Sequence, residues 1–111
     1  MDKQYEIVHY EENGKDIFND YVSSLRDRIG RTVIERTVRR IEAGNFGEHK
    51  SCRSGVWELK IDYGAGYRVY YSIVGSKVVL LLCAGTKRTQ QKDIDKAVEY
   101  LQRFTKKGLI S

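Results

Sequence analysis

The sequence predicts an α+β domain of order β-α-α-β-β-β-α, an antiparallel-rich twisted sheet with an N-terminal helical hairpin and a C-terminal helix. Three observations carry this. Two stretches with apolar residues at helical spacing follow one short β-prone run. Three period-two or continuously apolar runs come next, separated by glycine-bearing turns. A last amphipathic stretch closes the chain. Strands clustered after a helical pair favour one sheet with helices on one face. The 111 residues are the size of one domain, taken as residues 1–111.

Tyr5 to Tyr10 reads as the first strand, broken by Asn13-Gly14. From Asp16 to Leu25, the residues Ile17, Phe18, Tyr21, Val22 and Leu25 fall on one helical face. Gly30 is expected to separate this helix from a second, about Arg31 to Ala43, with Val33, Ile34, Thr37, Val38 and Ile41 as its stripe. Gly44, Asn45 and Gly47 end it. Glu48 to Gly55 reads as a looser stretch. Trp57, Leu59, Ile61 and Tyr63 then alternate with Glu58, Lys60 and Asp62, and Tyr67, Val69, Tyr71 and Ile73 alternate with Arg68, Tyr70 and Ser72. Val78 to Ala84 reads as a central strand covered on both faces. Thr89 is the expected N-cap of the last helix, which carries Ile94, Ala97, Val98, Leu101 and Phe104 inward.

Turn geometry sets an expected register. A three-residue loop at Gly64–Gly66 pairs Tyr63 with Tyr67, which puts Lys60 opposite Tyr70 and Asp62 opposite Arg68. A two-residue Gly75-Ser76 loop pairs Val74 with Lys77. One face then carries Trp57, Leu59, Ile61, Val69, Tyr71, Val78, Leu80, Leu82 and Ala84 as core. The other carries Glu58, Lys60, Arg68 and Tyr70 over a floor of Val79, Leu81 and Cys83.

Composition narrows the function classes. Charged residues make up 32% and hydrophobic residues 41%, against both disorder and a membrane protein. The longest apolar run, Val78 to Ala84, is far short of a membrane span. The N-terminus lacks the layout of a signal peptide. Two cysteines imply no disulfide framework, so a cytoplasmic location is expected. Residues 1–49 hold eight Lys/Arg and ten Asp/Glu, whereas residues 50–111 hold twelve and five. A basic half points to a polyanionic partner, nucleic acid first; the competing reading is a solvated face that aids solubility. Cations around a tyrosine on a partly apolar sheet face suit single-stranded nucleic acid. His9 and His49 have no spacing that ties them, and the cysteines and histidines lack metal-ligand spacing.

Two segments carry a resemblance: Gly55-Val56-Trp57-Glu58-Leu59-Lys60-Ile61-Asp62-Tyr63-Gly64-Ala65-Gly66-Tyr67-Arg68-Val69-Tyr70-Tyr71 and Val79-Leu80-Leu81-Leu82-Cys83-Ala84-Gly85-Thr86-Lys87-Arg88-Thr89-Gln90. In these motifs, and in length and element order, the chain resembles toxins of the RelE/ParE superfamily, and within it the HigB-like addiction module killer proteins. The resemblance implies a RelE-like fold and a cytoplasmic toxin of a bacterial type II toxin–antitoxin module. It implies ribosome-dependent mRNA endonuclease activity with no metal and no dedicated cofactor. The implied partners are the ribosome, mRNA and an antitoxin, expected to be helix-turn-helix and HigA-like, and no membrane.

By position, Arg68 matches the strand arginine that clamps the scissile phosphate. Lys60 matches a strand lysine for charge stabilisation or general base, and Lys87 a cation after the last strand. Tyr70 is the expected hydroxyl from the sheet. Lys50, Arg53, Arg88 and Lys92 are expected to carry RNA backbone. Two positions depart from the best-known pattern. Glu58 stands where a ribosome-dependent member has a second strand lysine, and the last helix has its only tyrosine at Tyr100. A ParE-like gyrase inhibitor, or an inactive remnant that only binds its antitoxin, are the alternatives.

Overall fold

The protein's structure, a computed structural model, describes residues 4–107. Met1 to Lys3, part of the N-terminus read above against a signal peptide, lie outside them. The elements are β1 (Glu6–His9), β2 (Glu11–Glu12), β3 (Lys15–Asp16), α1 (Ile17–Ser24), α2 (Arg28–Glu42), β4 (His49–Ser51), β5 (Trp57–Lys60), β6 (Arg68–Gly75), β7 (Val78–Gly85), and α3 (Gln90–Lys106) after a 3₁₀ turn at Lys87–Thr89. They form an α+β domain. The main sheet has the order β1-β7-β6-β5-β4, with β1 parallel to β7 and all other neighbours antiparallel. Among the described residues no helix is long and apolar enough to cross a membrane.

The helical hairpin forms as the apolar spacing requires, with one boundary moved. Asp16 caps α1, its carboxylate accepting from Asn19 N. Asp27 caps α2 through Gly30 N at 2.9 Å, so Gly30 lies inside the first turn of α2 and does not separate the helices. An aspartate three residues before a glycine amide satisfies a free N–H of the first turn, which outweighs the low helix propensity of glycine. Asn13-Gly14 folds the chain into the small β2–β3 hairpin, both residues having positive φ as the tightest hairpin turns demand. The looser stretch also yields a strand, β4, on the outer side of β5.

The register differs from the expected one in two ways. On β5 and β6, Lys60 faces Arg68 and Glu58 faces Tyr70, a shift of two residues. The loop is wider than the three-residue turn: Ile61 N donates to Tyr67 O, and β5 stops at Lys60. A two-residue shift keeps every side chain on its face. Against β7 the shift is odd where Tyr71 to Ile73 pair with Leu81 to Val79, and even on either side. The turn is Ser76-Lys77, with Gly75 opposite Val78, and irregularities fall at Tyr70/Tyr71 and Ile73/Gly75. Val79 and Leu81 therefore face α1 and α2 with Leu59, Val69 and Tyr71. Leu80, Leu82 and Cys83 face the other way. The expected faces of Val79, Leu80, Leu81 and Leu82 are reversed, because a single extra residue at a bulge inverts the alternation.

The face expected to meet solvent is a second core. α3 packs Ala97, Val98 and Leu101 against Val56, Tyr70, Leu80 and Leu82. Helices thus cover both faces of the sheet, which explains why β7 is apolar throughout.

Candidate functional site

The site lies on β4, β5 and β6, beside the N-terminal end of α3. Glu48, His49, Lys50, Glu58, Lys60 and Arg68 line a cleft of about 270 Å³ there. Cross-strand pairing places its cations: Lys60 and Arg68 are directly opposite on β5 and β6, and Lys50 on β4 is opposite Glu58. The alternation that put Lys60 and Arg68 on one face in the sequence thus brings them into one cleft.

The cleft is ion-paired, not a bare cationic patch. Glu58 is 3% exposed and Arg68 6%. Arg68 Nε lies 3.7 Å from Glu58 Oε2, and Lys50 Nζ lies 3.8 Å from the same oxygen. Lys60 Nζ reaches Glu48 Oε2 at 4.0 Å. Gln90 Nε2, at the start of α3, donates to Glu58 Oε1 at 2.6 Å. Arg68 Nη1 donates to Gly66 O at 2.7 Å. Both ends of the guanidinium thus face an acceptor group.

The hairpin turn is shaped around that arginine. Gly66 has a φ of 73°, and a Cβ there would lie 3.3 Å from Arg68 Nη1 and 3.4 Å from Lys87 Cβ. Lys87 N donates to Ala65 O at 3.4 Å. Lys87 is therefore held beside Arg68 across the turn, exposed and next to the cleft, without lining it. At the end of β7, Gly85 lies against the Asp93 carboxylate where a side chain would collide. Asp93 also accepts from the Thr89 hydroxyl at 2.5 Å, and Thr89 holds the expected N-cap position of α3 without a side-chain bond to a backbone amide of the helix. Burial raises the pKa of Asp93 despite that bond and the charge of Lys92.

The other expected site residues divide. Tyr70 is fully buried beneath α3, and its hydroxyl has no hydrogen-bond partner. Burial, with the charges of Glu58 and Asp93, pushes its pKa up. The hydroxyl expected to act from the sheet is thus closed off from solvent and does not line the cleft. The physical reason is the α3 cover over the second face. Arg53 forms an ion pair with Asp95 of α3. Arg88 and Lys92 are exposed on the 3₁₀ turn and α3. None of Arg53, Arg88 and Lys92 lines the cleft; Lys50 does.

His9 Nδ1 is 2.8 Å from Asp16 Oδ2. His49 Nδ1 is 3.0 Å from the Tyr71 hydroxyl, and its ring stacks between Phe46 and Trp57 at 5.7 and 5.3 Å. Cys83 is buried, its thiol pKa pushed up by burial and by the charge of Asp93, which is the opposite of a nucleophile's environment.

Two residues of the cleft network carry roles that sequence reasoning missed. Glu58 was visible as a charge alternating onto the face of Lys60 and Arg68, but nothing marked it as buried. Gln90 is 32 residues away on another element and left no periodic signal.

No family model matches the chain. An uncharacterized protein of Haemophilus influenzae is 42% identical over 80 residues, which cover 72% of this chain and 81% of that protein. At that identity and coverage the two share one fold and one ancestry, and the chain belongs to the same family as this Haemophilus influenzae protein.

Proposed function

We propose that the protein is the toxin of a type II toxin–antitoxin module, a RelE-like, HigB-like endonuclease that cuts mRNA on the ribosome. The observation that carries the reading is the direct opposition of Lys60 and Arg68 in one cleft, with Lys50 on the neighbouring strand. The α+β architecture is compatible with the RelE-like fold this reading requires.

The chemistry needs fixed cations more than it needs a nucleophilic side chain. In this reaction the RNA supplies its own nucleophile. The 2′-oxygen attacks the adjacent phosphorus and the 5′-oxygen leaves, giving a cyclic phosphate and a free 5′-hydroxyl. Negative charge builds on the pentacoordinate phosphate, and preorganised donors aimed there lower the barrier by several kcal/mol each. Arg68, held at Gly66 O and facing Glu58, presents its remaining N–H groups to the cleft as the phosphate clamp. Lys60 stands opposite it as the second charge on the phosphate. Lys87, exposed just across Gly66, is the cation available to the leaving oxygen. In the cell an antitoxin, helix-turn-helix in type, holds the toxin inactive.

The test is primer extension on an mRNA in a purified translation system, with wild type, Arg68→Ala and a reaction lacking ribosomes. Cuts that require both ribosomes and Arg68 are expected. Cuts without ribosomes would make the protein a free ribonuclease. Absence of cuts, with loss of DNA supercoiling instead, would replace this reading with a gyrase-directed one.

A further inference from the structure

The cleft contains one group that the proposed chemistry does not use and that folding alone does not call for. Glu58 is a carboxylate 3% exposed, on the α3 face of the sheet, where the neighbouring Val56, Tyr70 and Leu82 form an apolar cluster. A buried ion pair gives a fold little net stability. Its desolvation cost offsets the attraction, and an apolar residue of similar volume serves as well or better. The stronger use of such a pair is to specify one geometry.

Here the geometry is a chain of three. Gln90 Nε2 donates to Glu58 Oε1 at 2.6 Å. Glu58 Oε2 faces Arg68 Nε at 3.7 Å, and Arg68 Nη1 donates to Gly66 O at 2.7 Å. An arginine has several rotatable bonds and on an open strand face would sample many rotamers. Between Glu58 on one side and a backbone carbonyl on the other, its guanidinium plane has one orientation. Arg68 Nε makes no hydrogen bond and the side chain is 7% exposed, so the carboxylate is the charge that offsets its burial. Glu58 is in turn held in place from α3, so the relay ties two strands to a helix 32 residues further along the chain.

We infer that Glu58 and Gln90 are positioning residues: Gln90 fixes the Glu58 carboxylate, and the carboxylate fixes the guanidinium of Arg68 for an anionic ligand in the cleft. The catalytic half of this inference rests on the proposed nuclease reading; the ordering of Arg68 does not. Misplacing a reacting group by about 1 Å costs about 10²-fold in rate, and that is the effect expected when the relay is cut. The roles also differ in kind. Lys60 and Arg68 meet the phosphate, whereas Glu58 and Gln90 act through Arg68.

The experiment uses the full chain and two readouts. The first is the arginine Nε–Hε resonance of Arg68 in ¹⁵N NMR, assigned by its loss in Arg68→Lys. The second is ribosome-dependent cleavage resolved into kcat and KM. The variants are Glu58→Gln, Gln90→Met and the swapped pair Glu58→Gln with Gln90→Glu, which keeps an amide facing a carboxylate but moves the charge away from Arg68. The expected result is a sharp, slowly exchanging Hε signal in wild type that broadens in Glu58→Gln and in the swapped pair. The kcat falls about 10²-fold at unchanged KM, and the swapped pair keeps its thermal midpoint. An unchanged Hε signal in Glu58→Gln overturns the inference. So does recovery of both signal and kcat in the swapped pair, which would show that the charge is not needed at position 58. A lost signal with unchanged kcat overturns the catalytic half. If the wild type cuts nothing while the signal responds as expected, the nuclease reading falls and the ordering of Arg68 by Glu58 stands.

Discussion

The Tyr67 hydroxyl donates to Asp27 Oδ2 at 2.8 Å, tying the turn that precedes β6 to the first turn of α2. The other Asp27 oxygen accepts from Gly30 N. The two bonds hold the carboxylate pKa of Asp27 below its ordinary value, the Gly30 amide first and the Tyr67 hydroxyl second. Because the folded pKa is depressed, this contribution to stability is present above the ordinary aspartate value of 3.8 and is lost as pH falls through the folded value. Tyr67→Phe removes one bond and should lower stability by about 1 kcal/mol, or about 4 °C in midpoint for a chain of this length. Thermal melts of both proteins at pH 7 and pH 3 check it. The difference between them should shrink at the lower pH.

At the alkaline end the tyrosines decide. Burial pushes the phenols of Tyr10, Tyr67 and Tyr71 up to about 12 from 10.0, and Tyr70 up as well. In Tyr10 the bond to Glu12 adds to the shift, and in Tyr67 the bond to Asp27 does. Their folded pKa values lie above the unfolded one, so their contribution is complete below pH 10 and is lost as pH rises through about 12. Unfolding should become steep in that window. Of the chain's eight tyrosines, these four should give their tyrosinate absorbance only together with loss of the far-ultraviolet signal; ionisation of more than four before unfolding would contradict their burial.

In the nuclease reading, the two opposed cations of the cleft should respond differently to conservative change. Lys60→Met removes an exposed ammonium and should leave the melting curve unchanged while slowing cleavage by about 10²–10³-fold. Arg68→Lys keeps the charge but loses the planar fork that engages Gly66 O and Glu58 together. It should slow cleavage comparably, because an ammonium cannot take up both positions. Single-turnover cleavage on programmed ribosomes measures both.

Gly66→Ala tests the turn. The left-handed φ of 73° disfavours any side chain, and the added methyl would press on Arg68 Nη1. A loss of about 1 kcal/mol in stability is expected from the backbone alone. Cleavage should fall further than the stability loss accounts for. A denaturant melt beside the cleavage assay separates the two effects.

Much of the fold was legible because its signals are local. The helical stripe of Phe18 and Val22 and that of Ile34, Thr37 and Ile41 became the buried faces of α1 and α2. The alternation around Trp57 to Lys60 and Arg68 to Ile73 set the faces of β5 and β6, and a two-residue error in loop length left those faces intact. The faces of β7 were not legible. Val78 to Ala84 has no polar residue to mark a side, so the irregularities at Tyr70/Tyr71 and Ile73/Gly75 decide whether Leu80 or Leu81 faces α3. That uniformity marked β7 as covered on both faces, but nothing local showed that the same cover, α3, extends over Tyr70 of β6. At the site, Lys60 and Arg68 were legible as residues of one sheet face, though not as a directly opposed pair. The roles of Glu58 and Gln90 were not, because they arise from a contact between elements far apart in the chain.

The parallel pairing of β1 with β7 sets a clock on synthesis. Its partners are Glu6 with Val78 through His9 with Leu81, so β1 waits for β7 to be made. At about 5–20 residues per second, the intervening chain takes on the order of several seconds to make. Through that interval β1 has no strand to join and the sheet is incomplete. Closing so large a loop adds non-local pairing to a mixed α/β domain, which slows folding relative to a helical one, and the nascent polypeptide completes its main sheet only after β7 has been made.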